Sequence, residues 1–304
     1  MEFYLTAIML GLCLSSMSLG IFITMKIFGI PDITTDGSYT LGAVITAVLI
    51  TAHWPTATII PVVLLSGAGA GALTGLIHTK LKIEALLAGI LVMTGLYSVN
   101  LVILGRSNVP LLNVATIFSS FHLFGNSIYN DAVVALIFIL AIAAILGYVL
   151  KTDFGIAMRA TGNSASMTRA LGINNNVMKI VGLALANALT ALSGYLVAQY
   201  QNFTDINMGI GIVITGLGSV LIADALIKWI NIRSIVCQLV VVLVGSIIFQ
   251  LVLAFTLSIG IDPNLLKLVT AGFVLLIVSI PMIKKWGPAR SPKTKRCSSN
   301  ASDL

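Results

Sequence analysis

The chain has 304 residues, 58% hydrophobic and 9% charged, with a net charge of +7. A soluble domain carries about 25% charged residues, so so few charges cannot clothe a soluble surface, and the chain reads as a polytopic membrane protein. Continuous rather than alternating apolar runs argue against a β-barrel, and basic residues confined to short loops and a tail read as membrane orientation rather than nucleic-acid binding.

In chain order, nine apolar stretches approach the roughly 20 residues that cross a bilayer as a helix. They cover residues 5–25, 27–52, 56–77, 85–104, 132–150, 177–200, 209–227, 235–256 and 266–282. The second is interrupted at Pro31-Asp32 and at Asp36-Gly37, so eight or ten spans are the alternatives. The first lacks a basic leader and a cleavage signature, so it is expected to be a retained span. The expected architecture is all-α, with about nine spans, the N-terminus outside and the C-terminus inside. That arrangement puts 15 of the 17 basic residues inside and leaves only Arg106 and Lys267 outside. Residues 1–283 form one transmembrane domain, and the basic, Ser/Asn-rich tail 284–304 is expected to be disordered at anionic headgroups.

The outer loop 106–131 holds Phe118, Phe121, Phe124 and Tyr129 and is expected to supply a short interfacial helix and an aromatic belt. No nucleotide-binding glycine loop or HExxH motif is present, and His53, His78 and His122 are scattered. Cys13, Cys237 and Cys297 have no metal-ligand spacing. Neither a catalytic nor a metal site is expected.

Two polar interruptions stand out. In residues 29–46, Pro31 disfavours helix at Ile30. Asp32 and Asp36 read as N-caps at the cytoplasmic edge, Asp36 over the turn 37–40. A carboxylate at a span is also a functional candidate. Residues 204–215 resemble this stretch: Asp36, Gly42 and Thr46 pair with Asp205, Gly211 and Thr215 at an offset of 169. An inverted repeat would leave such a pair. Chance in a Gly-, Val- and Ile-rich chain does the same and is the preferred reading. Small residues crowd 66–75, where packing is expected, and 209–218. Asn100, Asn187, Gln199, Gln238, Gln250 and Asp224 sit inside spans, where they could line a path or tie helices together. Asp224 and Lys228 are an i,i+4 ion pair.

The longest polar interval before the tail is residues 151–179. A short helix is expected over 164–171, with Asn163 or Ser164 as its cap and Gly172 as its left-handed terminator. It reads as an ordinary cytoplasmic loop or as a coupling helix that docks into a soluble partner.

These stretches carry a resemblance. SLGIFITMKIFGIPDITTDGSYTLGA, TDFGIAMRATGNSASMTRALGINNN and GIGIVITGLGSVLIAD resemble the permease subunits of ABC importers of the branched-chain amino acid and ribose type, and within them the branch linked to tryptophan- or tyrosine-type uptake. The resemblance implies that residues 154–173 engage an ATP-binding subunit through Arg159, Ala160, Gly162, Arg169, Ala170, Leu171 and Gly172. Ile156 stands where many relatives have Arg. The resemblance also implies a pair of permeases, expected to be a homodimer. An extracytoplasmic solute-binding protein and a bacterial inner-membrane location complete the set, with ATP bound by the partner and no cofactor in this chain. Candidate path residues are Asp36, Gly42, Asn187, Gln199 and Gly211. The expected function is inward movement of a small polar solute, an amino acid or related metabolite. The alternative is an ion-coupled secondary transporter, which needs ionisable groups at mid-membrane.

Overall fold

The computed structural model describes residues 2–111, 114, 116–120, 127–260, 262 and 265–285. Phe121, Phe124, His122 and the tail beyond Lys285 lie outside them. Helix α1 (Glu2–Ile21) continues through a π-helical segment, Phe22–Phe28, and stops at Gly29 with φ of +65°. Then follow α2 (Thr34–Thr51), α3 (Thr56–Lys80), α4 (Ala85–Leu104), β1 (Asn108–Pro110), α5 (Ile117–Ser120) and α6 (Ser127–Lys151). The second part of the chain comprises α7 (Asp153–Asn163), α8 (Ala165–Ala170), α9 (Asn175–Gln201), β2 (Phe203–Asp205), α10 (Ile212–Ile230), α11 (Ile235–Ser258) and α12 (Leu266–Lys285). Among the described residues, seven helices are long and apolar enough to cross a membrane. Helix α2 is not one of them, because its first turns hold Thr34, Thr35, Asp36, Ser38 and Thr40. Among the described residues, Leu266–Ile277 of α12 forms a shorter apolar stretch.

Helices α1 and α9 form the centre. Ser16 Oγ donates to the Leu189 carbonyl at 2.8 Å and Ser193 Oγ to the Cys13 carbonyl at 2.8 Å. As one number rises the other falls, so the two helices run antiparallel. Ser246 Oγ donates to the Gly11 carbonyl at 2.9 Å on the other side of α1. In lipid, apolar burial gives little drive for helix association. Close backbone approach and such hydroxyl bonds take its place, each bond worth about 0.6 kcal/mol. The 66–75 stretch is packing, as expected: a Cβ at Gly71 would lie 2.2 Å from the Leu183 carbonyl oxygen, and one at Gly67 2.6 Å from that of Asn187.

Helix lengths recur. The run α1 with its π segment, α2, α3 and α4 has 27, 18, 25 and 20 residues. The run α9, α10, α11 and α12 has 27, 19, 24 and 20. The pairing of Asp36 with Asp205 is off this register, since Asp36 lies in α2 and Asp205 in β2 rather than in α10.

Two other expectations are corrected, and one feature is added. The second span does not begin at 27 and is not broken at Asp36-Gly37: residues 22–28 belong to the first helix and α2 runs unbroken from Thr34. Phe118 is buried edge-to-face on Tyr200 rather than placed in a headgroup belt. The loop 106–131 contributes α5, the short helix expected there, and also pairs β1 with β2 as an antiparallel ribbon, Val109 opposite Thr204, which no periodicity announced in three-residue strands.

Candidate functional site

The non-helical segment 29–33 leaves Gly29 and Pro31 exposed and turns Ile30 and Asp32 into the bundle. Asp32 Oδ1 accepts from the Thr34 amide at 2.9 Å and so caps α2, while its Oδ2 accepts from Asn187 Nδ2 at 2.7 Å. Asn187 lies 12 residues into α9, about 18 Å along it at 1.5 Å per residue. The aspartates are therefore deep in the bundle, not at its edge. Irregular backbone is tolerated at that depth only where protein or a cavity surrounds it.

Asp36 does not cap its own helix. Its Oδ2 accepts from the Gly211 amide and its Oδ1 from the Val213 amide, both at 2.8 Å, across a separation of some 175 residues. These are free N–H groups at the start of α10, so the carboxylate caps a helix from the other half of the chain and neutralises its dipole. Gly209 lets the loop close on α2: a Cβ there would lie 2.2 Å from the Asp36 carbonyl oxygen. Two interrupted helices thus meet N-terminus to N-terminus inside the molecule, an arrangement that commonly frames a transport site.

Cavities lie on either side of this junction. A small one is lined by Asp36, Thr40, Tyr97, Asn100 and Gly209. Asn100 is 1% exposed; its amide donates to the Gly37 carbonyl at 3.3 Å and its Oδ1 has no partner. A larger cavity of about 410 Å³ runs from exposed Gln201 and Asn207 down to the buried ring of Tyr39, with Leu14, Val197, Met208 and Ile212 in its walls. That volume suits a small organic solute.

At the opposite end, α6 turns sharply into α7. Thr152 caps α7, and Gly155 sits against α6, where a Cβ would be 2.4 Å from Val149 O. At Gly162 a Cβ would lie 1.6 Å from the Ile27 carbonyl oxygen, so α7 rests directly on the end of the first helix. Helix α8 has the expected boundaries: Ser164 accepts from the Met167 amide, and Gly172 has φ of +80°. Asn175 ties it to α9, donating to the Ala165 carbonyl at 2.6 Å and pairing with Thr168 Oγ1 at 2.8 Å. The outer surface carries Met167 and Leu171, 64% and 67% exposed. Helix α7 was not foreseen, because its glycines and its Thr-Gly-Asn end read as loop.

Residues 3–279 match the family model for the branched-chain amino acid transport system, permease component. The chain belongs to this permease family. The permease is also 40% identical to a tyrosine transport system permease protein of Clostridioides difficile over 269 residues, 88% of each chain. It is 32% identical to an uncharacterised protein of Rickettsia prowazekii over 94% of its own length and 99% of the other's. A ribose import permease protein of Haemophilus influenzae shares 28% identity over 67% of this chain and 63% of its own. No solved structure matches it.

The five path candidates of the permease are brought together only in part. Asp36 and Gly211 meet at the junction. Gly42 is a helix crossing, where a Cβ would be 2.0 Å from Ala191 O. Asn187 is saturated: it donates to Asp32 and to the Leu183 carbonyl and accepts from Ser38 Oγ at 2.7 Å. Gln199 holds α5 to α9, accepting from the Ile117 amide at 2.8 Å. Tyr39 was missed, because an aromatic near a span start carries no distinguishing signal. The seven coupling candidates divide between two faces. Arg169, Ala170, Leu171 and Gly172 are exposed at α8. Arg159, Ala160 and Gly162 line a cleft against the end of the first helix. The pair Asp224–Lys228 forms at 2.6 Å, and Asp224 also binds Lys26.

Proposed function

We propose that this permease is the membrane subunit of a bacterial ABC importer that admits an amino acid with an aromatic side chain. Two copies would form the pathway in the inner membrane. An extracytoplasmic solute-binding protein would deliver substrate, and a cytoplasmic ATP-binding subunit would drive the cycle. The observation that carries this reading is the α7–α8 segment: an exposed apolar knob on α8, joined to a helix that presses on the end of α1. Force applied to such a knob is conveyed to a central helix without a motor in this chain. The tyrosine transport relative supports the substrate class. So does the mostly apolar cavity over Tyr39, which accepts a ring more readily than a sugar.

The two buried carboxylates meet one requirement of an ion-coupled transporter. Asp32 and Asp36 are, however, engaged by Thr34, Asn187, Gly211 and Val213. Groups held by backbone amides in this way act as fixed caps rather than as a proton relay. Radiolabelled tyrosine uptake separates the readings. Depleting ATP should abolish it and an uncoupler alone should leave it; the reverse result would refute the ABC assignment. Arg169→Ala and Gly172→Val should lower ATPase co-purification while membrane insertion is retained, and normal uptake in both would sink the role given to α8.

A further inference from the structure

Beneath α7 lies a cleft of about 550 Å³, lined by Phe22, Lys26, Ile156, Arg159, Arg233 and Ile235, with no carboxylate in its lining. Lys26 and Lys228 share the single carboxylate of Asp224, so positive charge is in excess here. Arg159 Nε is buried with no hydrogen-bond partner. A buried, unmet guanidinium N–H calls for an acceptor oxygen from outside the chain, and a planar guanidinium is built to grip phosphate. Apolar residues Phe22, Ile27, Ile156 and Ile235 share the lining with the basic groups and with Asn163 and Gln238. Phe22 is buried six residues before the end of its helix. The cleft therefore straddles the level where spanning helices give way to the surface-lying α7, the depth of lipid headgroups. The chain's basic loops gather at this end.

We propose that the cleft is a binding site for an anionic phospholipid, with the headgroup phosphate held by Arg159 and Arg233 and the acyl chains along the isoleucine wall. Basic pockets between spanning helices recognise lipid headgroups in this way. The bound lipid would brace α7 against the end of α1 and so stiffen the segment described above. The proposal needs only that the chain spans a membrane; its failure leaves the transport reading intact. A carboxylate from the ATPase partner is the rival occupant. The exposed knob of α8 gives that partner a separate surface, and the apolar depth of the cleft favours lipid.

The test uses full-length permease in detergent, titrated with phosphatidylglycerol or phosphatidylcholine and read by native mass spectrometry and thermal unfolding. Phosphatidylglycerol should remain bound and raise the melting temperature; phosphatidylcholine should do neither. Arg159→Gln with Arg233→Gln should weaken phosphatidylglycerol binding at least tenfold, and Lys82→Gln, outside the cleft, should not. If the double variant is not monodisperse, the exposed Arg233→Gln variant alone should show a clear loss. Unchanged phosphatidylglycerol binding in the variants overturns the proposal. Equal protection by inorganic phosphate assigns the site to a free anion and also overturns it. Unchanged lipid binding with lost ATPase co-purification gives the cleft to the partner subunit.

Discussion

Asp36 changes meaning between the sequence and the fold. Alone it is an acidic residue in the first turn of a helix, where a local cap is the ordinary reading. Packed, its carboxylate serves Gly211 and Val213, at the start of a helix far along the chain. Replacing it by Ala strips two buried amides of their acceptor. A cap alone is worth about 1–2 kcal/mol, and unmet buried donors add to the loss. Asp36→Ala should therefore lower the melting temperature of the detergent-purified permease markedly. Asp36→Asn, also a good cap, should recover most of the difference. Asn187 and Asn100 offer a second contrast. Asn187→Ala takes a partner from the Asp32 carboxylate and from Ser38, whereas Asn100 Oδ1 satisfies nothing. Thermal unfolding should show Asn187→Ala to be the more damaging by about 1–3 kcal/mol, the cost of leaving a buried polar group unmet.

At the scale of elements, side chains no larger than hydrogen set the crossings. Gly71 and Gly69 are two residues apart on α3, yet a Cβ at Gly71 meets the α9 backbone and one at Gly69 meets nothing. Gly71→Leu should fail to yield monodisperse protein, while Gly69→Leu should purify and melt as wild type, which size-exclusion chromatography decides. Helix α8 is the opposite case, an element whose side chains look outward. Met167→Glu with Leu171→Glu should leave the melting temperature of the isolated permease within about 1 kcal/mol equivalent, as for other exposed changes. The same pair should reduce ATPase co-purification several-fold. The helix itself was legible: Ser164 and Gly172 bound it in the sequence as they do in the structure. Its neighbour α7 was not, because Gly155, Gly162 and Asn163 suit loops, and only contact with Val149 and Ile27 makes the two glycines helical packing residues.

For the whole molecule, the distribution of basic residues makes a prediction of sidedness. In a cysteine-free background, Ser107→Cys should react with an impermeant maleimide added to intact cells, and Lys82→Cys should react only after the membrane is opened; the reverse pattern would invert the topology. Membrane residence and helical class were set by composition and apolar run length, since a bilayer demands about 20 apolar residues whatever surrounds them; the start of the second span was not, because residues 22–28 continue the first helix. The start and stop of α8 were likewise local, because caps act within a turn. The tertiary structure alone decided that α2 and α10 begin inside the bundle and face one another. It decided as well that Asn187 and Gln199 tie helices together, and that the seven residues singled out for partner contact divide between an exposed knob and a basic cleft. The helix junction and the two ties depend on partners 80 or more residues away in sequence. The hydrogen bonds and close backbone approaches that choose such partners leave no period in the chain.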